Sequence, residues 1–248
     1  MTRAMTKIAV LGGTGKMGTA FVEAVAASPG LSVSSRIGRE GDLESAIQGC
    51  DVLVDFSTPE GTVRGVQLAA RFGKAVVTGT TGLSPDQEGS VSSAAKAVPI
   101  VKAANFSVGI CVLSFLCSKA AAVLGEGYDI EIIEAHHRRK KDAPSGTAIM
   151  LGNVLAAARG IDLSRSAVYG RRGISGPRGE QEIGIHAVRG GDIYGDHTVL
   201  FAGADEIVEL SHRASSRGAF ATGAVAAAQW VCGKPPGMYG LNDVLQLR

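Results

Sequence analysis

The chain has 248 residues, of which 45% are hydrophobic and 19% charged, as in a globular protein with one large domain or two small ones. Its net charge of +2 is too small to favour a nucleic-acid partner. Ser, Lys or Gly interrupts every apolar stretch before the roughly 18 residues of a membrane span, and no signal peptide precedes the first strand. We therefore expect a cytoplasmic protein without nucleic-acid or membrane partners, its four cysteines buried and reduced.

Strands and helices alternate in the first part of the chain. Strands are predicted at 7–11, 31–37, 51–57, 75–78 and 99–103. Between them, Pro59 starts a helix that ends at Gly73, and Ser84 with Pro85 forms a second helix start. This β-α-β-α order predicts an α/β fold with a Rossmann-like, doubly wound parallel sheet covered by helices on both faces.

The pattern changes near Asn105. A helix at 108–124, a strand at 128–137 and a helix opening at Pro144-Ser145 are followed by strands at 182–188, 197–201 and 206–211. Strands that follow one another through short turns predict an antiparallel or mixed sheet. An alanine-rich helix at 215–232 then returns to the first fold. We therefore expect a dinucleotide-binding domain (1–106 and 216–248) interrupted by an inserted α+β domain with an open mixed sheet (107–215).

A glycine-rich loop links the first strand to the first helix. Gly12, Gly15 and Gly18 follow a G-x-x-G-x-x-G pattern, related to the dinucleotide fingerprint. Glycine is needed there because a pyrophosphate approaches the backbone where helix N–H groups point. Such turns also occur in α/β proteins without nucleotides, but the strand and helix around this one favour a nucleotide site.

The end of the second strand usually carries an acid that binds the ribose hydroxyls of the cofactor. Here it reads Arg36-Ile37-Gly38-Arg39, with no acid directly after the strand. The arginines are either ordinary surface residues or ligands for the 2′-phosphate of NADP. Two later strand ends lie at the edge where ligands bind in open parallel sheets. Gly79–Gly82 is either a simple turn or part of this ligand-binding edge, and Asn105 and Phe106 of Ala103–Phe106 could contact the amide and the ring of the nicotinamide.

The segment from Glu134 to Ala148 contains several groups that can exchange protons or bind anions. Two histidines, His136 and His137, precede four cations and a Pro-Ser-Gly-Thr turn that opens a helix. A helix N-terminus binds anions, and histidine exchanges protons near neutral pH. The alternative is that the two histidines are partly exposed strand residues with no role in a site. A metal site is disfavoured because the surrounding residues are positively charged. Adjacent strand residues face opposite ways, so one site can use both histidines only if the chain leaves the sheet at His136.

These features together resemble the dihydrodipicolinate reductase family. Its signature, an acid followed by A-H-H-x-x-K-x-D-A-P-S-G-T-A, occurs unbroken here, and supporting segments span nearly the whole chain: 12–18, 55–60, 79–82, 104–109, 189–192 and 214–217. The resemblance implies NADPH- or NADH-dependent reduction of a cyclic imine dicarboxylate in lysine and diaminopimelate biosynthesis. It also implies a homotetramer assembled through the sheet of the inserted domain.

The resemblance assigns roles to individual residues. His136 is the general acid/base and Lys140 the partnering proton donor, while His137, Gly146 and Thr147 bind the substrate carboxylates. The expected cofactor contacts are Gly12, Gly13, Thr14, Gly15, Lys16, Met17, Arg39, Gly79, Thr80, Thr81, Ala103, Ala104, Asn105 and Phe106. The family's acid after the second strand aligns with Gly38, so that contact is missing, whereas Arg39 matches the arginine for the NADP phosphate. No metal is expected.

Two other functions fit parts of the sequence. A semialdehyde-type dehydrogenase would need an activated cysteine nucleophile, but Cys111 and Cys117 lie in apolar helical surroundings. A non-catalytic NADP-binding sensor would keep the glycine loop without needing the histidine and lysine cluster.

Overall fold

The computed structural model describes residues 5–247. Residues 1–4, on which the expectation about a signal peptide partly rests, lie outside the described part. The chain divides into two compact units. The first unit runs to Val108 and resumes at Arg217, and the second comprises Gly109–Ser216.

Residues 5–247 form eleven strands and nine α-helices, which are numbered separately in chain order. The strands are β1 (Thr6–Leu11), β2 (Leu31–Ile37), β3 (Val52–Asp55), β4 (Ala75–Thr78), β5 (Pro99–Lys102), β6 (Asp129–His136), β7 (Ala167–Val168), β8 (Ile183–Arg189), β9 (Asp196–Ala202), β10 (Ile207–Arg213) and β11 (Gly237–Tyr239). The helices are α1 (Lys16–Ala26), α2 (Leu43–Gln48), α3 (Pro59–Phe72), α4 (Pro85–Ala94), α5 (Val108–Leu124), α6 (Gly146–Arg159), α7 (Leu163–Ser166), α8 (Gly218–Val231) and α9 (Leu241–Leu245).

The first unit contains a parallel six-stranded sheet in the order β11-β5-β4-β3-β1-β2. Every residue of β3 and β4 is buried, as expected for central strands covered on both faces. The predicted Rossmann-like sheet is confirmed. The third strand ends at Asp55, two residues earlier than predicted, and the short elements α2, β11 and α9 were not predicted.

Local signals explain where the helices of this sheet begin. Thr58 and Ser84 cap α3 and α4 through their side-chain oxygens, and a proline occupies the first turn of each helix. Gly73 ends α3 with a φ of 65°, which glycine adopts without strain. These caps fix the loops that follow β3 and β4 at the carboxyl edge of the sheet.

The second unit contains a mixed five-stranded sheet in the order β10-β9-β6-β8-β7. β6 pairs parallel with β8 and antiparallel with β9. The predicted mixed sheet is confirmed, but β8 and β9, which follow each other in the chain, are not neighbours because β6 lies between them. Side chains from three separated sequence regions therefore meet around β6.

One face of this sheet packs against helices. Ile130 and Ile132 of β6 lie in a core with Leu151 of α6 and Phe201 of β9. Because side chains alternate along a strand, Glu134 and then His136 continue the same face toward the end of β6. Strand β6 ends at His136, so the chain leaves the sheet there. This is the condition under which one site can use both His136 and His137.

Helix α5 is unusually apolar. By length and composition, residues 108–127 could cross a membrane, with a mean hydropathy of 2.0 and 28% of that window buried. This result differs from the expectation, based on the residues that interrupt the apolar stretches, that no segment is long and apolar enough to span a membrane. Ile110, Leu113 and Cys117 of α5 pack in the core of the second unit, and a core helix passes the same test.

Candidate functional site

A buried carboxylate organises the end of β6. Glu134 is fully buried and accepts hydrogen bonds from both terminal nitrogens of Arg189, each at 2.7 Å. It also accepts one from the backbone N–H of Ser145 at 2.9 Å and lies 2.6 Å from Nδ1 of His136. Burial alone would raise the pKa of Glu134, but these donors together hold it below its usual value. Glu134 is therefore ionised at neutral pH.

The contact with Glu134 fixes the proton on His136. An ionised carboxylate only accepts hydrogen bonds, so Nδ1 of His136 carries the hydrogen and Nε2 is left to exchange a proton. The His136 side chain is 12% exposed. A Cβ at Gly195 would lie only 3.0 Å from that Nε2 atom, so glycine at this position leaves space next to Nε2 of His136.

A second histidine lies beside the first. His197 faces Glu134 across the β6–β9 pair, and its ring centroid is 5.2 Å from that of His136. Its Nε2 atom lies 3.2 Å from the Oγ atom of Ser145, which caps α6 by accepting from Ala148 N–H. Burial, and then the nearby His136, lowers the pKa of His197 to about 4. His197 is therefore neutral at neutral pH.

The predicted substrate-binding residues surround this cluster. His137 follows directly after β6, and its buried Nδ1 atom has no hydrogen-bond partner within residues 5–247. Gly146 begins α6, and a Cβ there would meet no atom within 4 Å. Thr147 follows in the first turn of the same helix, whose N–H groups favour anions.

Lys140, the predicted proton donor, is engaged with a carboxylate. Its ammonium lies 2.9 and 2.8 Å from the two carboxylate oxygens of Asp142, and its side chain is 20% exposed. The hydrogen bond from Lys140 lowers the pKa of Asp142. No hydrogen bond joins Lys140 to His136 in the described chain.

The glycine loop of the first unit has the geometry expected of an anion site. Gly12 has a φ of +74°, and a Cβ there would lie 2.3 Å from the carbonyl oxygen of Phe56. Gly18 is equally constrained by the carbonyl of Gly12. Gly15 supplies no side chain to cap α1, and the first turn of that helix contains no acid. An uncapped helix start of this kind is suited to binding an anion such as a pyrophosphate.

Twelve of the fourteen predicted cofactor residues, all but Gly13 and Lys16, line three cavities of the first unit. A cavity of about 370 Å³ is lined by Gly12, Thr14, Gly15 and Arg39, with Leu11 and Phe56 among its apolar residues. One of about 230 Å³ is lined by Met17, Gly79, Ala104, Asn105 and Phe106. A third, of about 550 Å³, is lined by Thr80, Thr81, Ala103 and Ala104.

The structure places the three cations predicted near the cofactor, Arg39, Arg36 and Lys16, in different surroundings. Arg39 is exposed and lines the cavity of about 370 Å³. Arg36 instead donates to the carbonyl oxygen of Gly13 at 2.8 and 3.3 Å, which holds the glycine loop. Lys16 is exposed at the start of α1 and lines none of the three cavities described above.

A second buried carboxylate supports the cofactor edge. Asp55, at the end of β3, accepts hydrogen bonds from the hydroxyls of Thr62, Thr78 and Thr80 at 2.6, 2.8 and 3.1 Å. It also accepts from the Ser57 hydroxyl and backbone N–H. Asp55 therefore ties together the loops after β3 and β4.

Sequence reasoning missed the residues that support the histidines. Glu134 was seen only as part of the motif, and Arg189, Ser145 and His197 received no role. Glu134 and His136 are two residues apart in a strand, and this spacing was the available signal that they share a face. Arg189 and His197 come from strands whose pairing with β6 is not evident in chain order.

The alternative chemistries find little support. Burial raises the pKa of Cys111 to about 11 and that of Cys117 to about 12, so neither thiol is an activated nucleophile. Within the described residues, no group of three or more His, Cys, Asp or Glu side chains is arranged to hold a metal ion.

Both halves of the chain match family models. Residues 6–106 match the model described as dihydrodipicolinate reductase, N-terminus, and residues 109–245 match its C-terminus counterpart. The resemblance inferred from the sequence is confirmed.

Curated and solved relatives cover nearly the entire chain. Proteins named 4-hydroxy-tetrahydrodipicolinate reductase are 46% identical in Anaeromyxobacter dehalogenans strain 2CP-1 and 47% identical in Thiobacillus denitrificans. In both cases the match covers 98% of this chain and 99% of the relative. A dipicolinate-bound dihydrodipicolinate reductase from Paenisporosarcina sp. TG-14 is 26% identical, with a TM-score of 0.81 over 96% of this chain and 99% of that one.

Proposed function

The chain belongs to the dihydrodipicolinate reductase family, and on that premise we propose which of its residues carry out the reaction. The protein is an NAD(P)H-dependent oxidoreductase that reduces 4-hydroxy-tetrahydrodipicolinate or dihydrodipicolinate to tetrahydrodipicolinate, in lysine and diaminopimelate biosynthesis. The hydrogen-bonded pair of Glu134 and His136 is the observation that carries the catalytic assignment.

The first unit fits a nicotinamide cofactor. Gly12 and Gly15 leave the N-terminus of α1 open to a pyrophosphate, and the cavity between Met17 and Phe106 suits the nicotinamide ring. When bound, this cofactor supplies the hydride. Asp55 supports the site by holding the hydroxyls of Thr78 and Thr80 in place.

His136 supplies the proton that must accompany hydride addition. Its Nδ1–H donates to Glu134, so the exchangeable proton is on Nε2. The charge of Glu134 stabilises the imidazolium form before transfer, and Arg189 keeps Glu134 ionised. His197 remains neutral beside it and adds no competing charge at neutral pH.

The substrate carries two carboxylates, which require fixed donors. His137 and the first turn of α6, at Gly146 and Thr147, provide N–H groups, and Lys140 provides a cation. Since Lys140 contacts Asp142, a substrate carboxylate would have to share or replace that partner. Lys140 thereby binds the substrate and assists proton delivery.

The cofactor is NADPH in preference to NADH. Gly38 supplies no acid for the ribose hydroxyls, and Arg39 lines the adjoining cavity. Removal of the acid deletes an acceptor for NADH and a repulsive charge against the 2′-phosphate of NADPH. NADH would still be accepted, because the pyrophosphate and nicotinamide contacts are common to both cofactors.

The enzyme is a cytoplasmic homotetramer. The face of the second unit's sheet opposite α5 and α6 exposes Ile133, Val188 and Ile207, which are 38%, 48% and 66% exposed. Exposed apolar side chains on a sheet face favour association with another copy. The measurement that tests this is the molar mass in solution by light scattering, where a monomer would contradict it.

A direct assay tests the reductase function. Purified protein is mixed with NADPH and the freshly formed product of dihydrodipicolinate synthase, and NADPH consumption is followed by absorbance. The histidine cluster favours turnover over a non-catalytic NADP sensor, which would not need a buried Glu134. NADPH binding without turnover would support the sensor instead.

A further inference from the structure

The cavity lined by Arg39 contains a second unassigned arginine. Arg64, in the second turn of α3, also lines this cavity of about 370 Å³. Arg39 comes from the loop after β2, so the two cations reach the same cavity from different elements. None of the residues that line it is an aspartate or glutamate.

Neither arginine has a partner that would neutralise it. Arg39 and Arg64 are exposed, and no described carboxylate lies within salt-bridge distance of either. Arg71, two turns further along α3, differs: it donates to Glu44 at 3.1 Å. Arg36 is also committed elsewhere, since it donates to the carbonyl of Gly13. Arg39 and Arg64 therefore place two uncompensated positive charges at this cavity.

We propose that Arg64 is a second ligand for the 2′-phosphate of NADP and that it sets cofactor preference together with Arg39. The inference rests on the proposed NADPH-dependent function. The glycine loop that would hold the pyrophosphate, Gly12 and Gly15, lines the same cavity, which identifies the cavity as the adenosine end of the site. A phosphate monoester carries a charge of about −1.5 to −2 near neutral pH, which two arginines match.

Arginine suits this role for a geometric reason. The planar guanidinium group of an arginine can donate two hydrogen bonds to a phosphate. Two guanidinium groups can therefore share the three terminal oxygens of one phosphate. Arg64 could instead stack on the adenine ring, which NADPH and NADH share. The two roles predict different results: phosphate binding affects NADPH alone, whereas stacking affects both cofactors equally.

Equilibrium binding to the intact protein separates them. NADPH and NADH are titrated by fluorescence against unmodified protein, Arg64→Ala, Arg39→Ala and the control Arg71→Ala. A second titration by calorimetry uses 2′,5′-ADP and 5′-ADP, which lack nicotinamide. We expect Arg64→Ala to weaken NADPH and 2′,5′-ADP about tenfold, with NADH and 5′-ADP changed less than about twofold. Arg71→Ala should leave all four unchanged.

Two results would overturn the proposal. Equal weakening of NADPH and NADH would place Arg64 on the adenine ring, and unchanged binding of 2′,5′-ADP would remove it from the site. Because Arg64 is exposed on a helix, its alanine variant should fold, which a thermal melt checks. These measurements require no turnover, so a failed reductase assay would leave them interpretable.

Discussion

Nδ1 of His136 lies 2.6 Å from Oε2 of Glu134, and the same carboxylate is clamped by Arg189. The three side chains come from two neighbouring strands, β6 and β8, and share the face that packs against helices. A buried carboxylate with charged partners fixes the ring's orientation and its tautomer. The proposed acid/base group, His136, is thus the last residue of a sheet strand, although the residues after it lie in a loop.

We expect Glu134→Gln to lower kcat by about 10²-fold, because the amide neither fixes the tautomer nor stabilises imidazolium. Cofactor affinity should change little, since Glu134 lies in the second unit. Steady-state kinetics and NADPH titration measure the two effects. Glu134→Asp keeps the charge and is the matched control. Equal activity of the Gln and Asp variants would show that the charge has no part in catalysis.

We expect His136→Ala to lower turnover by roughly 10²–10⁴-fold, the range for loss of a general acid or base. NADPH affinity should be retained, because the predicted cofactor contacts belong to the first unit. Stopped-flow reduction and fluorescence titration measure the two quantities separately. If NADPH binding fell as much as turnover, His136 would instead be part of the cofactor site.

We expect Lys140→Ala to raise KM about tenfold and also to lower kcat. In its proposed role, the lysine charge would attract the substrate carboxylate in both the ground state and the transition state, so both constants would depend on it. Asp142→Asn is informative as a comparison, because it frees the ammonium from its present partner. A lower kcat with unchanged KM in Lys140→Ala would limit the residue to proton delivery.

The sequence predicted most of the fold because its signals are local. Ser84 with Pro85, and Thr58 with Pro59, mark helix starts that the structure reproduces. The support of His136 was not predictable in the same way. Arg189 lies 53 residues after His136 and meets its strand only because β8 pairs with β6 rather than with β9. Sheet order depends on tertiary packing, which no local pattern encodes.

Arg64 was overlooked for a related reason. An exposed arginine on an amphipathic helix normally belongs to a solvated face, and Arg71 on the same helix does form a surface ion pair. Only the position of α3 beside the loop after β2 makes Arg64 part of a cavity.

We expect stability to fall between about pH 6.5 and pH 4 partly because of His197. Its pKa is lowered to about 4 by burial and by His136, so below pH 6.5 the unfolded chain binds a proton that the folded protein excludes. The stabilisation is complete above pH 6.5 and is lost as pH falls toward 4, by at most about 3 kcal/mol. Urea unfolding at several pH values, compared with His197→Asn, isolates this contribution. Parallel pH profiles for the two proteins would contradict it.

We expect Gly38→Asp to reverse the proposed preference for NADPH. A Cβ at Gly38 would meet only Thr14, at 3.6 and 3.8 Å, so the position accepts a side chain without strain. The new carboxylate would accept hydrogen bonds from the ribose hydroxyls of NADH and repel the 2′-phosphate beside Arg39. Each effect should change the dissociation constant on the order of tenfold, in opposite directions for the two cofactors. Gly38→Asn has the same size and can accept a hydrogen bond, but it carries no charge. It should therefore improve NADH binding without weakening NADPH. If Asn weakened NADPH as much as Asp, the effect would be steric, and the missing acid would not explain the cofactor preference.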